Sequence, residues 1–184
     1  MRRVATIAAL LVLTTAAWGQ RPLRHVLFDF EGGVDDWLVN VWGGGGEVEL
    51  SVAEEPKFGS GALHSEATGV EKGGNSISPW LPEDAEWRQH EWGKLSLWFR
   101  GDGSPTRASL RVQTGVGEEI DQSYSLNLPM DSTRWRRISA PVGAFWNRDR
   151  VPMDTRRIVR LYIGTSGTHR FEVDQIALDA EQRP

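Results

Sequence analysis

Lys94-Leu95-Ser96-Leu97-Trp98-Phe99-Arg100 places an apolar side chain at every second position. Side chains two apart share one face of a strand. Leu95, Leu97 and Phe99 therefore point one way and Ser96, Trp98 and Arg100 the other. The same split recurs downstream, where Leu110 and Val112 oppose Ser109, Arg111 and Gln113, and where Val159, Leu161 and Ile163 oppose Arg160 and Tyr162. No stretch keeps apolar residues at i, i+3, i+4, i+7 for three turns, so the pattern reads as strands throughout. Strands are expected over 25–30, 47–53, 62–66, 94–100, 108–113, 123–128, 136–141, 158–164 and 169–178. Nine strands with no helix between them predict an all-β fold, two antiparallel sheets packed as a sandwich. If the strands at 94–100, 108–113 and 158–164 share a sheet, its outer face carries Trp98, Arg111, Gln113, Arg160 and Tyr162.

The first 19 residues have the three parts of a secretion signal: Arg2 and Arg3, an apolar run over 4–13, and small residues at Ala16, Ala17 and Gly19. The run is too short to span a bilayer, and nothing later approaches the roughly 20 apolar residues that a spanning helix needs. The expectation is a secreted or periplasmic protein without membrane insertion, with residues 20–184 forming one domain. The sequence contains no cysteine, so a core, and not a disulfide framework, has to stabilise it. Without Arg2 and Arg3, 19 basic residues face 25 acidic ones, a net charge of −6 that argues against nucleic acid as the partner.

Signals for catalysis are weak. Gly164-Thr-Ser-Gly167 lacks the spacing of a nucleophile elbow, and no thiol is present. The histidines at 25, 64, 90 and 169 form no metal-ligand pair at helical spacing and read most simply as surface or turn residues. Paired carboxylates among Asp35, Asp36, Glu118, Glu119 and Asp121 are compatible with a glycosidase, but acidic residues are common in turns. A non-enzymatic protein is expected.

Four motifs stand in order along the chain: Phe28-Asp-Phe-Glu-Gly-Gly-Val-Asp-Asp-Trp37, Lys57-Phe-Gly-Ser-Gly-Ala-Leu63, Arg134-Trp-Arg-Arg-Ile-Ser-Ala-Pro-Val142 and Phe171-Glu-Val-Asp-Gln-Ile-Ala-Leu178. Together they resemble the calcium-containing carbohydrate-binding modules of secreted bacterial glycoside hydrolases, which belong to the galactose-binding-like jelly rolls. The resemblance implies a jelly-roll β-sandwich that binds a poly- or oligosaccharide on one sheet face. It also implies a structural Ca²⁺ held by Glu31, Glu54, the Lys57 carbonyl and Asp174, an oxygen-rich set that suits this ion. Related jelly rolls act as envelope structural or assembly proteins, for which the partner would be another protein.

Eight of the nine tryptophans lie beyond residue 19. Sugars present C–H faces that stack on aromatic rings and hydroxyls that need oriented polar partners. Trp98 and Tyr162 are the expected stacking rings, with Arg111, Gln113 and Arg160 as polar contacts. Trp37 and Trp135, inside the motifs, are expected in the core. Trp80, Trp87 and Trp92 either rim the groove or fold over a sheet edge.

Overall fold

In the computed structural model, which describes residues 24–43, 46–70 and 72–181, the alternating segments become eleven strands. They are β1 (Arg24–Phe28), β2 (Leu38–Trp42), β3 (Glu47–Val52), β4 (Leu63–Thr68), β5 (Gly74–Ser78), β6 (Lys94–Arg100), β7 (Arg107–Val116), β8 (Glu119–Pro129), β9 (Arg136–Pro141), β10 (Ile158–Ser166) and β11 (His169–Asp179). The expected secretion signal lies outside the described residues. No helix among the described residues is long and apolar enough to cross a membrane.

Two antiparallel sheets form the jelly-roll sandwich. The first runs β3-β4-β11-β6-β9, with β1 also paired to β11; the second runs β2-β5-β10-β7-β8. Their inner faces are the apolar faces read from the alternation: Leu95, Leu97, Phe99, Leu110, Val112, Leu161 and Ile163 are each at most 2% exposed. Phe171, Val173, Tyr124 and Leu128 complete the same core. Burial of these side chains contributes about 1.5–3 kcal/mol each before chain entropy is counted, which makes the shared interior the main source of stability.

Two strands, β2 and β5, do not appear in the periodicity reading. β5, Gly74-Asn-Ser-Ile-Ser78, has a single large apolar residue, yet every one of its residues is buried between β2 and β10. Its glycine is required: a Cβ at Gly74 would stand 2.5 Å from the Thr165 carbonyl oxygen and 2.8 Å from the Trp42 ring.

The tryptophans sort by position. Trp37 is buried, with its ring 5.3 Å and 5.5 Å from those of Phe28 and Phe30. Trp87 and Trp92 are also core residues, joined by a 3.0 Å hydrogen bond from Trp92 Nε1 to the Trp87 carbonyl. Trp135, expected in the core, is only half-buried: its ring lies 5.0 Å from the Arg100 guanidinium on the outer face of the first sheet. His169 is not a surface residue either. It is buried in the β10–β11 hairpin, stacked on Phe171 at 5.2 Å, and desolvation holds its pKa below the ordinary histidine value.

Leu161, fully buried at the centre of β10, tests the shared interior. Leu161→Ala is expected to cost about 2–5 kcal/mol in urea unfolding, whereas Val151→Ala, at a half-exposed loop site, should change stability by less than about 0.5 kcal/mol. Equal, small effects at both sites would contradict a packed core here.

Candidate functional site

Directly opposed residues of an antiparallel pair project to the same face, so the pairing register maps the outer surface of the second sheet. Tyr162 faces Arg111, and Arg111 faces Ser125. Arg160 faces Gln113, which faces Ser123. One row further along the strands, Asn40, Ser76, Gly164 and Ser109 lie side by side. The next row holds Trp42 beside Gly74 and Ser166. A row of small side chains thus runs between two rows that carry large aromatic rings, and the result is a trough.

The trough is a cleft of about 410 Å³ with Ser76, Ser109 and Gly164 in its lining, Trp42 and Tyr162 as its aromatic rings, and Arg107, Arg111 and Gln113 as polar groups. This volume lies within the usual range for small-ligand sites. Trp42 is 52% exposed, its ring set against Gly74 on one side and open to the cleft on the other. Neither Trp42 nor Arg107 is among the residues expected from the sequence. Both sit at ends of strands whose start or existence the alternation did not reveal, although Leu38, Asn40 and Trp42 do alternate with Val39 and Val41.

Of the five expected ligand contacts, Arg111, Gln113 and Tyr162 meet in the trough. Arg160 lies beside it with a different task. Its guanidinium is 4.5 Å from the Trp80 ring and 4.5 Å from the Tyr162 ring, and its Nη2 donates a 2.7 Å hydrogen bond to Ser78 Oγ. It is a strut that fixes Tyr162.

Trp98 departs from the expectation of a single recognition face. Its strand, β6, belongs to the first sheet, so its outward side chain lies on the opposite side of the sandwich from Tyr162. There it is covered: Lys57 Nζ is 4.7 Å above its ring and the Phe58 ring 5.5 Å away. Period-2 alternation separates inside from outside correctly but carries no information on which of two sheets a strand joins.

A second cleft, of about 490 Å³, opens on that outer face of the first sheet. Four of its charged or titratable groups are already paired. Glu172 pairs with His64 at 3.2 Å and with Arg100, and Arg100 reaches Glu55 at 3.3 Å. A ligand here would have to displace these pairs, whereas Arg111 and Gln113 in the trough carry no hydrogen bond of this kind to another side chain among the described residues.

The four expected metal positions separate into three and one. Asp174 is fully buried in β11, beside Gln175, whose φ of +45° marks a bulge in the strand. Its Oδ2 accepts a 2.8 Å hydrogen bond from the Phe58 amide, and its Oδ1 has no hydrogen-bond partner among the described residues. Burial, with a smaller contribution from the Glu31 charge, pushes its pKa above the ordinary carboxylate range. Glu31 accepts hydrogen bonds from the Ser60 hydroxyl and amide and from the Gly61 amide, which lower its pKa. The Lys57 backbone amide, like that of Phe58, faces the Asp174 carboxylate, and no contact among the described residues places the expected Lys57 carbonyl. Glu54 is exposed and lines the second cleft instead. No group of three or more acidic or histidine side chains that could hold a metal occurs among the described residues.

Comparison with solved structures returns the same sandwich. A family 11 carbohydrate-binding module from Clostridium thermocellum, in complex with a β-1,3-1,4-mixed-linked tetrasaccharide, superimposes with a TM-score of 0.70 at 22% identity, over 88% of this chain and 98% of that one. The family 11 module of a cellulosomal cellulase of the same organism gives 0.68 at 21% identity, over 86% and 95%. A family 30 module of another cellulosomal cellulase gives 0.60 at 15% identity, over 88% and 100%. No curated protein sequence matches the chain. The model of the carbohydrate binding domain of family 11 matches residues 16–176, and the chain accordingly belongs to this family of non-catalytic carbohydrate-binding modules.

Proposed function

We propose that the trough of the second sheet is the carbohydrate site and that its ligand is a β-linked glucan chain. The observation that carries this reading is the row of Ser76, Gly164 and Ser109 between the exposed ring of Trp42 and the half-buried ring of Tyr162. A pyranose ring has two apolar C–H faces and an equator of hydroxyls. Trp42 and Tyr162 offer stacking surfaces, and Arg107, Arg111 and Gln113 supply donors and acceptors at the equator. The mixed-linked tetrasaccharide bound by the Clostridium thermocellum module supports a β-glucan as the ligand class. Mixed-linked β-glucan in a native affinity gel is the test. Trp42→Ala and Tyr162→Ala are expected to weaken retardation about tenfold or more, the usual cost of truncating a central aromatic contact. Trp98→Ala should leave it unchanged, because that ring lies under Lys57 and Phe58 on the other side. Retardation that depends on Trp98 and not on Trp42 or Tyr162 would sink the reading.

The protein is proposed to act outside the cytoplasm, with residues 1–19 as its export signal. Mass spectrometry of the protein expressed from its full sequence should find a mature chain starting at Gln20. Retention of Met1–Gly19 on exported protein would refute the assignment.

A structural Ca²⁺ is proposed at the loop of residues 57–61. The residues there fit such an ion. Asp174 Oδ1 is buried without a partner, and Glu31 brings a second carboxylate to the same loop. A Cβ at Gly59 would collide with Glu31 Oε1 at 1.9 Å, so that corner is reserved for the carboxylate. When bound, the ion would neutralise these charges and tie β11 to the loop. Added Ca²⁺ should raise the melting temperature of the wild type, a chelator should reverse it, and Asp174→Asn should abolish the response. A melt insensitive to both additives would remove the ion from the account.

A further inference from the structure

Trp146 is 68% exposed, and among the described residues no aromatic ring or cation stacks on it. Leaving an indole in water is unfavourable, and chain flexibility does not account for it here, because the loop beneath is built. Phe145 is buried on one side, and so is Asn147 on the other. Asn147 Nδ2 donates to Gln122 Oε1 at 2.9 Å and to the Ser123 carbonyl at 3.1 Å, while its Oδ1 accepts from the amides of Asp149 and Val151. The buried neighbours hold Trp146 outward.

Its direction follows from the register. Trp146 and Ser125 exchange two backbone hydrogen bonds, each 2.8 Å, so residue 146 extends the second sheet by one position beyond β8. Ser125 is opposed to Arg111 and Arg111 to Tyr162. Trp146 therefore stands at the end of the row Tyr162–Arg111–Ser125, on the same face as the trough. Three inter-strand spacings, about 14 Å, separate its backbone from that of Tyr162.

We infer that Trp146 is a second stacking platform for the same glycan chain, which crosses the strands along the row Tyr162–Arg111–Ser125–Trp146. The inference rests on the trough being the glycan site. A short ligand fills the trough alone. A longer one passes over Arg111 and Ser125, which offer partners to its hydroxyls, and lays a further sugar on the indole. Affinity thus depends on chain length, and Trp146 sets the length at which it rises.

Isothermal titration with cello-oligosaccharides and mixed-linked oligosaccharides, from disaccharide to hexasaccharide, and with mixed-linked β-glucan tests this. Wild type should gain affinity stepwise once the ligand spans both rings. Trp146→Ala should lose that step, about two- to tenfold on the longest ligands and the polysaccharide, and should bind the shortest ones as the wild type does. Trp146→Tyr, which keeps a ring, should recover most of the loss. The Ser125 bridge uses backbone atoms only, so the variants retain it. Wild-type affinity of Trp146→Ala at every length would overturn the inference and leave the trough reading intact. So would a loss of equal size at all lengths, which would mean that the ring acts by supporting the trough. Absence of any glycan affinity in the wild type, with Tyr162→Ala indistinguishable from it, would overturn both.

Discussion

The trough exists because β10 is locked in register between β5 and β7. Ile163 lies opposite Ile77 on one side and Leu110 on the other, all three fully buried, and that pins the parity of the whole strand. A slip of one residue would send Leu161 and Ile163 into water and bring Tyr162 and Arg160 into the core, a change that no local adjustment could offset. Once parity is fixed, the outer face follows without further choice. Gly164 must sit beside Ser76 and Ser109, and the tall residues must flank them. The concavity is therefore a by-product of the core, produced by where small residues fall on the side that the core does not use.

The two outer faces of the sandwich show why depth alone does not define a site. The larger cleft is rich in charge, but Glu172, His64, Arg100 and Glu55 are already paired across adjacent strands. A neutral ligand would have to replace ion pairs with weaker hydrogen bonds, a loss on desolvation that its own contacts do not recover. Arg100 also lies over the Trp135 ring at 5.0 Å, which leaves less of that ring for a sugar. On the trough side Trp42 is 52% exposed, Tyr162 is half-buried beside Arg160, and Arg111 is exposed. Paired charge and unpaired polarity thus lie on different sheets.

Much of this was legible in the sequence, and its limits are physical. Alternation in β6, β7 and β10 separates most inner from outer residues, because burial imposes a period of two, and fails at the β10 irregularity, where Ile158 and not Val159 joins the core cluster. It could not say that β6 belongs to the other sheet, because both sheets bury the same kind of face against the same core. Trp98 was thereby grouped with residues from which the whole sandwich separates it. β5 escaped notice since Gly74, Asn75, Ser76 and Ser78 are poor strand formers in isolation; their place is set by neighbours on both sides. Trp146 left no periodic signal at all, as a single paired residue has no period. The motif around Asp174 was recognisable as an acidic residue within an apolar run, and its burial matches that signal. Glu54, carried over by the same resemblance, lies elsewhere.

Arg160 links the core to the ligand face. Burial of a guanidinium between two rings costs hydration, and cation–π attraction from Trp80 and Tyr162 offsets part of that cost. Its hydrogen bond to Ser78 fixes it further, through a residue of β5 that is itself fully buried. Tyr162 is consequently held in one orientation before any ligand arrives. A stacking ring that is already ordered loses little side-chain entropy on binding, so more of the contact free energy is retained as affinity. Trp42, more than half exposed at an edge strand, has no such strut. The trough thus pairs one fixed ring with one adaptable ring. This arrangement suits a chain ligand, whose successive sugars must be held in register at one end while the other end varies in linkage.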